Sequence, residues 1–209
     1  MPTPRCLFRS LAPVLAGLLL VSTLDIRPAW PQNGASSVPP ASGGLKPRDS
    51  VLAIRPGEPA PDFDLPAVAG GRVRLSDYRG RKNVVLTFIP AAWTPVCSSQ
   101  WPGYNIAQEV FDAFDATLVG LSVDNLPTLR AWIKDMGGVW FPVVSDFWPH
   151  GAYAAKLGVL RSDGMTERAL FLIDKQGIVR YVDVHDINAR PDLGALVKEM
   201  QSLEPLSTQ

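Results

Sequence analysis

Residues 84–97 read Val84-Val85-Leu86-Thr87-Phe88-Ile89-Pro90-Ala91-Ala92-Trp93-Thr94-Pro95-Val96-Cys97. The first six form an apolar run bounded by turn residues, the pattern of a central strand buried on both faces. The rest is a Pro-x-x-x-Thr-x-x-Cys pattern that puts Cys97 at the mouth of a strand-loop-helix junction. A cysteine in the first turn of a helix faces unpaired backbone N–H groups and the positive end of the macrodipole, and both favour thiolate over thiol. Cys97 is therefore a candidate nucleophile. Thr94, one turn upstream, is close enough to hydrogen-bond the sulfur or a bound substrate, and Pro90 walls off the site without contributing a donor.

Working outward, 62–65 and 72–75 read as short strands joined by the turn Ala69-Gly70-Gly71, a hairpin at the domain entrance. A helix is predicted over about 97–114, with Ile106, Val110, Phe111 and Phe114 on its buried face. Residues 117–123 are the next strand, and 126–136 a helix opened by Pro127 and ended by Gly137-Gly138. Then come a short strand at 143–145, a short helix at 152–157, strands at 169–173 and 178–184 turned at Lys175-Gln176-Gly177, and a closing helix over 193–203. This order predicts an α/β sandwich of thioredoxin-like fold: a central mixed sheet flanked by helices, with an N-terminal hairpin.

The 209 residues, 46% hydrophobic, suffice for one domain with a full core. The formal net charge is zero and Lys and Arg are scattered, which argues against a nucleic-acid partner. Arg5 and Arg9 precede an uncharged apolar stretch over 11–24, of export-signal length and short for a membrane span. No clean small-x-small cleavage site follows it, so residues 1–26 are expected to be a signal sequence or an N-terminal membrane anchor, and the protein extracytoplasmic, as in a periplasm. Residues 27–50, rich in Pro, Ser, Gly and Ala, read as a flexible linker, leaving 51–209 as the domain. Only Cys6 and Cys97 occur, and Cys6 lies ahead of the apolar stretch, so it forms no lipobox. With the leader removed or embedded, Cys97 has no intramolecular partner, and an unpaired cysteine in an exported protein points to chemistry.

The Pro90–Cys97 pattern and its place after a buried strand resemble the peroxiredoxins. Gly57-Glu58-Pro59-Ala60-Pro61-Asp62-Phe63 with Leu75-Ser76-Asp77-Tyr78-Arg79-Gly80 is similar to the opening of the AhpC/TSA group. Ser145-Asp146-Phe147-Trp148-Pro149-His150-Gly151 looks like the alkyl hydroperoxide reductase E branch of one-cysteine peroxiredoxins. The resemblance spans roughly residues 54–203 and implies a thiol-dependent peroxidase that reduces hydrogen peroxide and organic hydroperoxides through a sulfenic acid at Cys97. It implies no organic cofactor and no metal, an external thiol reductant (thioredoxin-like, glutaredoxin-like or a low-molecular-weight thiol), and admits a homodimer. It assigns catalytic roles to Pro90, Thr94, Cys97 and an arginine, here Arg168, with Arg161 the less well aligned rival. The family commonly has a glutamate three residues after the cysteine, where this chain has Gln100. Glutamine lacks the charge that orients an arginine, so Arg168 is expected to be held more loosely, or by another acid such as Glu109 or Glu167.

A thioredoxin-type disulfide oxidoreductase needs Cys-x-x-Cys, and Cys97-Ser98-Ser99-Gln100 lacks the second thiol. A non-catalytic thioredoxin-fold binding module would have no call for Pro90, Thr94, Cys97 and Arg168 together. The two histidines, His150 and His185, stand in no metal or protease spacing and are expected to be structural or on the surface. Trp93 and Trp101 are expected to shape the pocket.

Overall fold

The computed structural model describes residues 45–203. The expected leader, with Cys6, and the expected linker before residue 45 lie outside the described residues. Among the described residues no helix is long and apolar enough to cross a membrane.

The elements run β1 (Asp64–Pro66), β2 (Arg72–Arg74), a 3-10 turn (Leu75–Tyr78), β3 (Asn83–Phe88), α1 (Cys97–Ile106), α2 (Gln108–Ala113), β4 (Ala116–Ser122), α3 (Leu126–Asp135), β5 (Val143–Ser145), α4 (Ala152–Leu157), β6 (Arg168–Ile173), β7 (Val179–His185) and α5 (Leu193–Gln201). Five strands form one sheet in the order β5-β4-β3-β6-β7. β3, β4 and β5 are parallel, while β6 and β7 run antiparallel to their neighbours. This is the thioredoxin-like mixed sheet that the element order predicts. β1 and β2 pair as the expected hairpin, which touches the edge strand β5 through a bridge from Ala67 to Val144.

Strand side chains alternate between faces, and the two faces carry different layers. Val84, Leu86 and Phe88 of β3 and Ala169, Phe171 and Ile173 of β6 pack with Leu65 of the hairpin and Tyr153, Ala154 and Leu157 of α4. Val85, Leu170 and Leu172 face the other way, under Trp101 of α1, Phe111 of α2, Trp132 of α3 and Leu196 of α5. By the same alternation Thr87 and Arg168 belong to the α1 face. On that face Gly120 of β4 leaves room for the Trp101 indole: a Cβ there would lie 2.8 Å from Trp101 Cζ2. Trp101 is fully buried, its ring centroid 4.9 Å from that of Trp132 and 5.6 Å from that of Phe141. These contacts seat the helix that begins with Cys97.

Two expectations are corrected. The helix predicted over 97–114 is two helices, broken at Ala107. The Tyr104 carbonyl accepts both the Ala107 N–H (3.2 Å) and the Trp140 indole N–H (3.1 Å), which tightens the last turn of α1 and ends it. The last residues of the expected flexible linker lie along the domain, because their backbone and Asp49 find polar partners there: the Pro47 carbonyl accepts from the Ile187 N–H (3.2 Å), and the Asp49 N–H donates to Glu167 Oε1 (2.6 Å).

Candidate active site

Phe88 of β3 is opposite Ala169 of antiparallel β6, so the exit of β3 lies beside the start of β6. The exit carries the Pro90–Cys97 loop, and the start is Arg168. The loop is tied at its base. Thr166 Oγ1 donates to the Ile89 carbonyl (2.7 Å), and buried Pro90 follows. Asp124, just past β4, accepts from the Ala92 N–H (2.8 Å) and the Ser122 hydroxyl (2.6 Å). Trp93 then takes a left-handed conformation (φ 67°) with its side chain exposed. The Ser98 N–H donates to the Thr94 carbonyl (2.9 Å) and the Gln100 N–H to the Val96 carbonyl (3.0 Å), so Cys97 sits in a first helical turn.

Cys97 has no exposed surface. Arg168, 1% exposed, brings Nη1 and Nη2 each to 3.5 Å from its Sγ. The remaining guanidinium bonds go to neutral oxygens. Nε and Nη2 donate to the Ile187 carbonyl (3.2 and 2.9 Å), and Nη1 donates to Gln100 Oε1 (2.5 Å). The Gln100 amide nitrogen is fixed in turn by Thr87 Oγ1 (3.2 Å) and the Tyr104 hydroxyl (3.3 Å). Burial pushes Tyr104 up to about 12, so at neutral pH the phenol is uncharged and gives Arg168 no counter-charge. Among the described residues no carboxylate lies within ion-pair distance of Arg168. A buried cation with only dipoles around it costs several kcal/mol. The one contacting atom able to carry a full negative charge is the Cys97 sulfur.

The structure brings Arg168 and Cys97 together and gives the other candidates different partners. The Thr94 hydroxyl donates to the Ala91 carbonyl (3.0 Å) rather than to the sulfur, which leaves its lone pairs to accept from a substrate O–H. Arg161 belongs to another cluster, its buried guanidinium bonded to Glu167 (2.9 Å) and Asp163 (3.1 Å). The expected help from Glu109 or Glu167 is overturned: Glu109 is exposed, and Glu167 is occupied by Arg161 and Asp49. Gln100 itself holds Arg168, through its neutral oxygen. Neither histidine is hydrogen-bonded to the sulfur; His150 Nε2 pairs with the Gly164 carbonyl (2.7 Å) and His185 with Asp183 (3.3 Å). Trp101 packs under α1, whereas Trp93 is 53% exposed above the loop. A surface hollow of about 610 Å³ lined by Asn83, Asp115 and Lys175 lies at the far end of the sheet from this chemistry. Sequence reasoning missed Ile187 and Asp124. The first acts through a backbone carbonyl, which any residue supplies, and the only signal for the second was a polar residue just after a strand.

An oxidisable, buried thiol under a guanidinium, at a helix start on a thioredoxin-like sheet, defines the peroxiredoxin class of thiol peroxidases. The AhpC/TSA family matches residues 56–182. The chain is 36% identical over 129 residues to alkyl hydroperoxide reductase E of Mycobacterium tuberculosis (strain ATCC 25618 / H37Rv), covering 61% of this chain and 84% of that one. It is 31% identical over 162 residues to the chloroplastic 2-cysteine peroxiredoxin of Chattonella marina var. antiqua, covering 73% and 82%. The reduced 2-Cys peroxiredoxin of Plasmodium vivax superposes with a TM-score of 0.66 at 29% identity, covering 70% of this chain and 80% of that one. The chain belongs to the AhpC/TSA family of peroxiredoxins.

Proposed function

We propose that this peroxiredoxin works with one cysteine and an external thiol. The observation that carries Cys97 as its peroxide-reacting group is the buried Arg168 guanidinium, 3.5 Å from Cys97 Sγ through both terminal nitrogens and without a carboxylate partner among the described residues. It suits a thiolate in the resting enzyme, and as the sulfur's charge passes to the peroxide it remains to stabilise the leaving oxygen. The thiolate attacks the terminal oxygen of a hydroperoxide in line with the O–O bond. An S–O bond forms, the O–O bond breaks, and the alkoxide or hydroxide leaves and takes a proton, giving an alcohol or water and Cys97 sulfenic acid. Thr94 Oγ1 accepts from the substrate O–H, and Pro90 and Ala92 keep water from the sulfur. Because Cys97 has no exposed surface, the side chains covering it part to admit the peroxide. An external thiol then attacks the sulfenic sulfur, releasing water and leaving a mixed disulfide. A second thiol reduces that disulfide and regenerates Cys97.

The single-cysteine cycle is supported by the sequence, in which Cys6 is the only other thiol and lies ahead of the apolar stretch at 11–24. We place the protein outside the cytoplasm on the same stretch, either processed or held by it. Intact-mass spectrometry after about one equivalent of hydrogen peroxide tests the cycle. The expected product is the reduced mass plus one oxygen, absent in Cys97→Ser and converted to a mixed disulfide by added thiol. A product two hydrogens lighter, with Cys6 bonded to Cys97, contradicts it.

A further inference from the structure

Residues 45–50 lie between two loops that meet at Arg168. On the loop leading into β6, Arg161 Nη1 donates to the Lys46 carbonyl (3.2 Å) and the Asp49 N–H donates to Glu167 Oε1 (2.6 Å). The Asp49 carboxylate accepts from the Ser162 N–H (3.1 Å), from the Ser162 hydroxyl and from Lys46 Nζ (3.2 Å). On the loop after β7, the Ile187 N–H donates to the Pro47 carbonyl (3.2 Å) and Asn188 Nδ2 to the Leu45 carbonyl (3.3 Å). Ile187 is also the residue whose carbonyl accepts from Nε and Nη2 of Arg168. Glu167, with no exposed surface, is Arg168's neighbour in the chain. The segment thus holds both the residue before Arg168 and the carbonyl that aims its guanidinium.

We propose that residues 45–49 are a positioning strap for Arg168: their docking fixes Ile187 and Glu167, and through them the placement of the guanidinium over Cys97. The proposal rests on the peroxidase reading and deepens it. None of these residues touches the sulfur, so the strap adds no donor to the transition state. It narrows the range of positions the guanidinium samples, and a misplacement of about 1 Å in such a group can cost on the order of a hundredfold in rate.

The test uses the full chain, with the single-turnover rate of reduced Cys97 with hydrogen peroxide as the readout in a double-mutant cycle. Asp49→Ala should slow wild type about tenfold or more, and change the rate less than about twofold in an Arg168→Ala background, where there is no guanidinium left to position. Asp49→Asn keeps an acceptor for the Ser162 N–H and should recover part of the loss. Ser162→Ala, at an exposed site, runs the same cycle should Asp49→Ala fail to fold, with a smaller loss expected. Equal slowing in both backgrounds overturns the proposal, since the strap would then act on the fold and not through Arg168. A fast wild type unaffected by either substitution overturns the strap alone. A wild type no faster than free cysteine overturns the peroxidase reading and the strap's purpose with it.

Discussion

Arg168 has three kinds of acceptor, and only one can bear charge: the Ile187 carbonyl, the Gln100 amide oxygen and the Cys97 sulfur. Removing it strips two donors from the sulfur at once. Arg168→Ala should therefore slow peroxide reduction by about a hundredfold or more, as measured for single donors in comparable sites. Arg168→Lys should not restore the rate, because a point charge cannot span sulfur, amide and carbonyl as a planar fork does. Arg161 acts on the fold, in a separate cluster. Its guanidinium and Glu167 are a buried pair (side chains 2% and 0% exposed), so Arg161→Ala leaves a carboxylate buried and unpaired. That should cost about 3–5 kcal/mol in urea unfolding. A loss below about 1 kcal/mol would mean that water or another cation replaces the partner. Cys97 was legible in the sequence because a thiol in a first helical turn breaks a pattern, whereas Arg168 was legible only through the family resemblance. Gln100 was noticed only for the charge it lacks, since an amide oxygen's value depends on what it faces. Ile187 was invisible because its part is played by backbone.

Among the elements, α4 and β5 were readable to the residue from short apolar runs between turns, whereas the break after α1 was not. It depends on the Trp140 indole reaching the Tyr104 carbonyl from 36 positions away, a contact no local pattern announces. The strap was misread for a related reason: the Pro- and Ser-rich composition of the whole 27–50 stretch describes what that stretch cannot bury, not the polar partners that its last residues find on the domain. Just past it the chain crosses the C-terminal cap of α4, where Gly158 has φ 75° and a Cβ would lie 2.1 Å from the Val51 carbonyl oxygen and 2.4 Å from the Ala53 nitrogen. Backbone cannot move aside as a side chain can, and the left-handed conformation alone costs a non-glycine residue about 1–2 kcal/mol. Gly158→Ala should thus destabilise by at least about 2 kcal/mol in urea unfolding, and an unchanged midpoint would contradict this packing. The strap also has a defined response to acid. The Ser162 hydroxyl, then Lys46 and the Ser162 N–H, lower Asp49 from the ordinary 3.8 to about 2. A carboxylate depressed in the folded state contributes stability that is fully present above its unfolded value and is lost as pH falls through the folded one. Amide hydrogen exchange at Asp49 and Ile187 should keep its protection above about pH 4 and lose it toward pH 2, ahead of the amides of β3. Simultaneous loss in both places would mean that the strap has no separate stability.

The molecule as a whole uses one sheet to bring together residues 71 positions apart. Antiparallel pairing of β3 with β6 sets the cysteine loop beside Arg168, and alternation along β6 turns that arginine toward α1 rather than toward α4. The order of the elements was enough to foresee this sheet, because apolar runs and glycine turns punctuate the chain clearly. The pairing of Cys97 with Arg168 was foreseen through the family resemblance and not through spacing. What remained out of reach was how completely the sulfur is covered, since burial is the product of every layer at once. The role of Arg168 over Cys97 is tested most directly by rapid mixing of the reduced protein with hydrogen peroxide, followed by tryptophan fluorescence, in wild type and in Arg168→Ala. Trp101, on the same helix as Cys97, provides the signal. A thiolate held under Arg168 should react with a wild-type rate constant orders of magnitude above that of free cysteine, falling about a hundredfold or more without the guanidinium. A wild-type rate equal to that of free cysteine, or one indifferent to Arg168, would contradict that role.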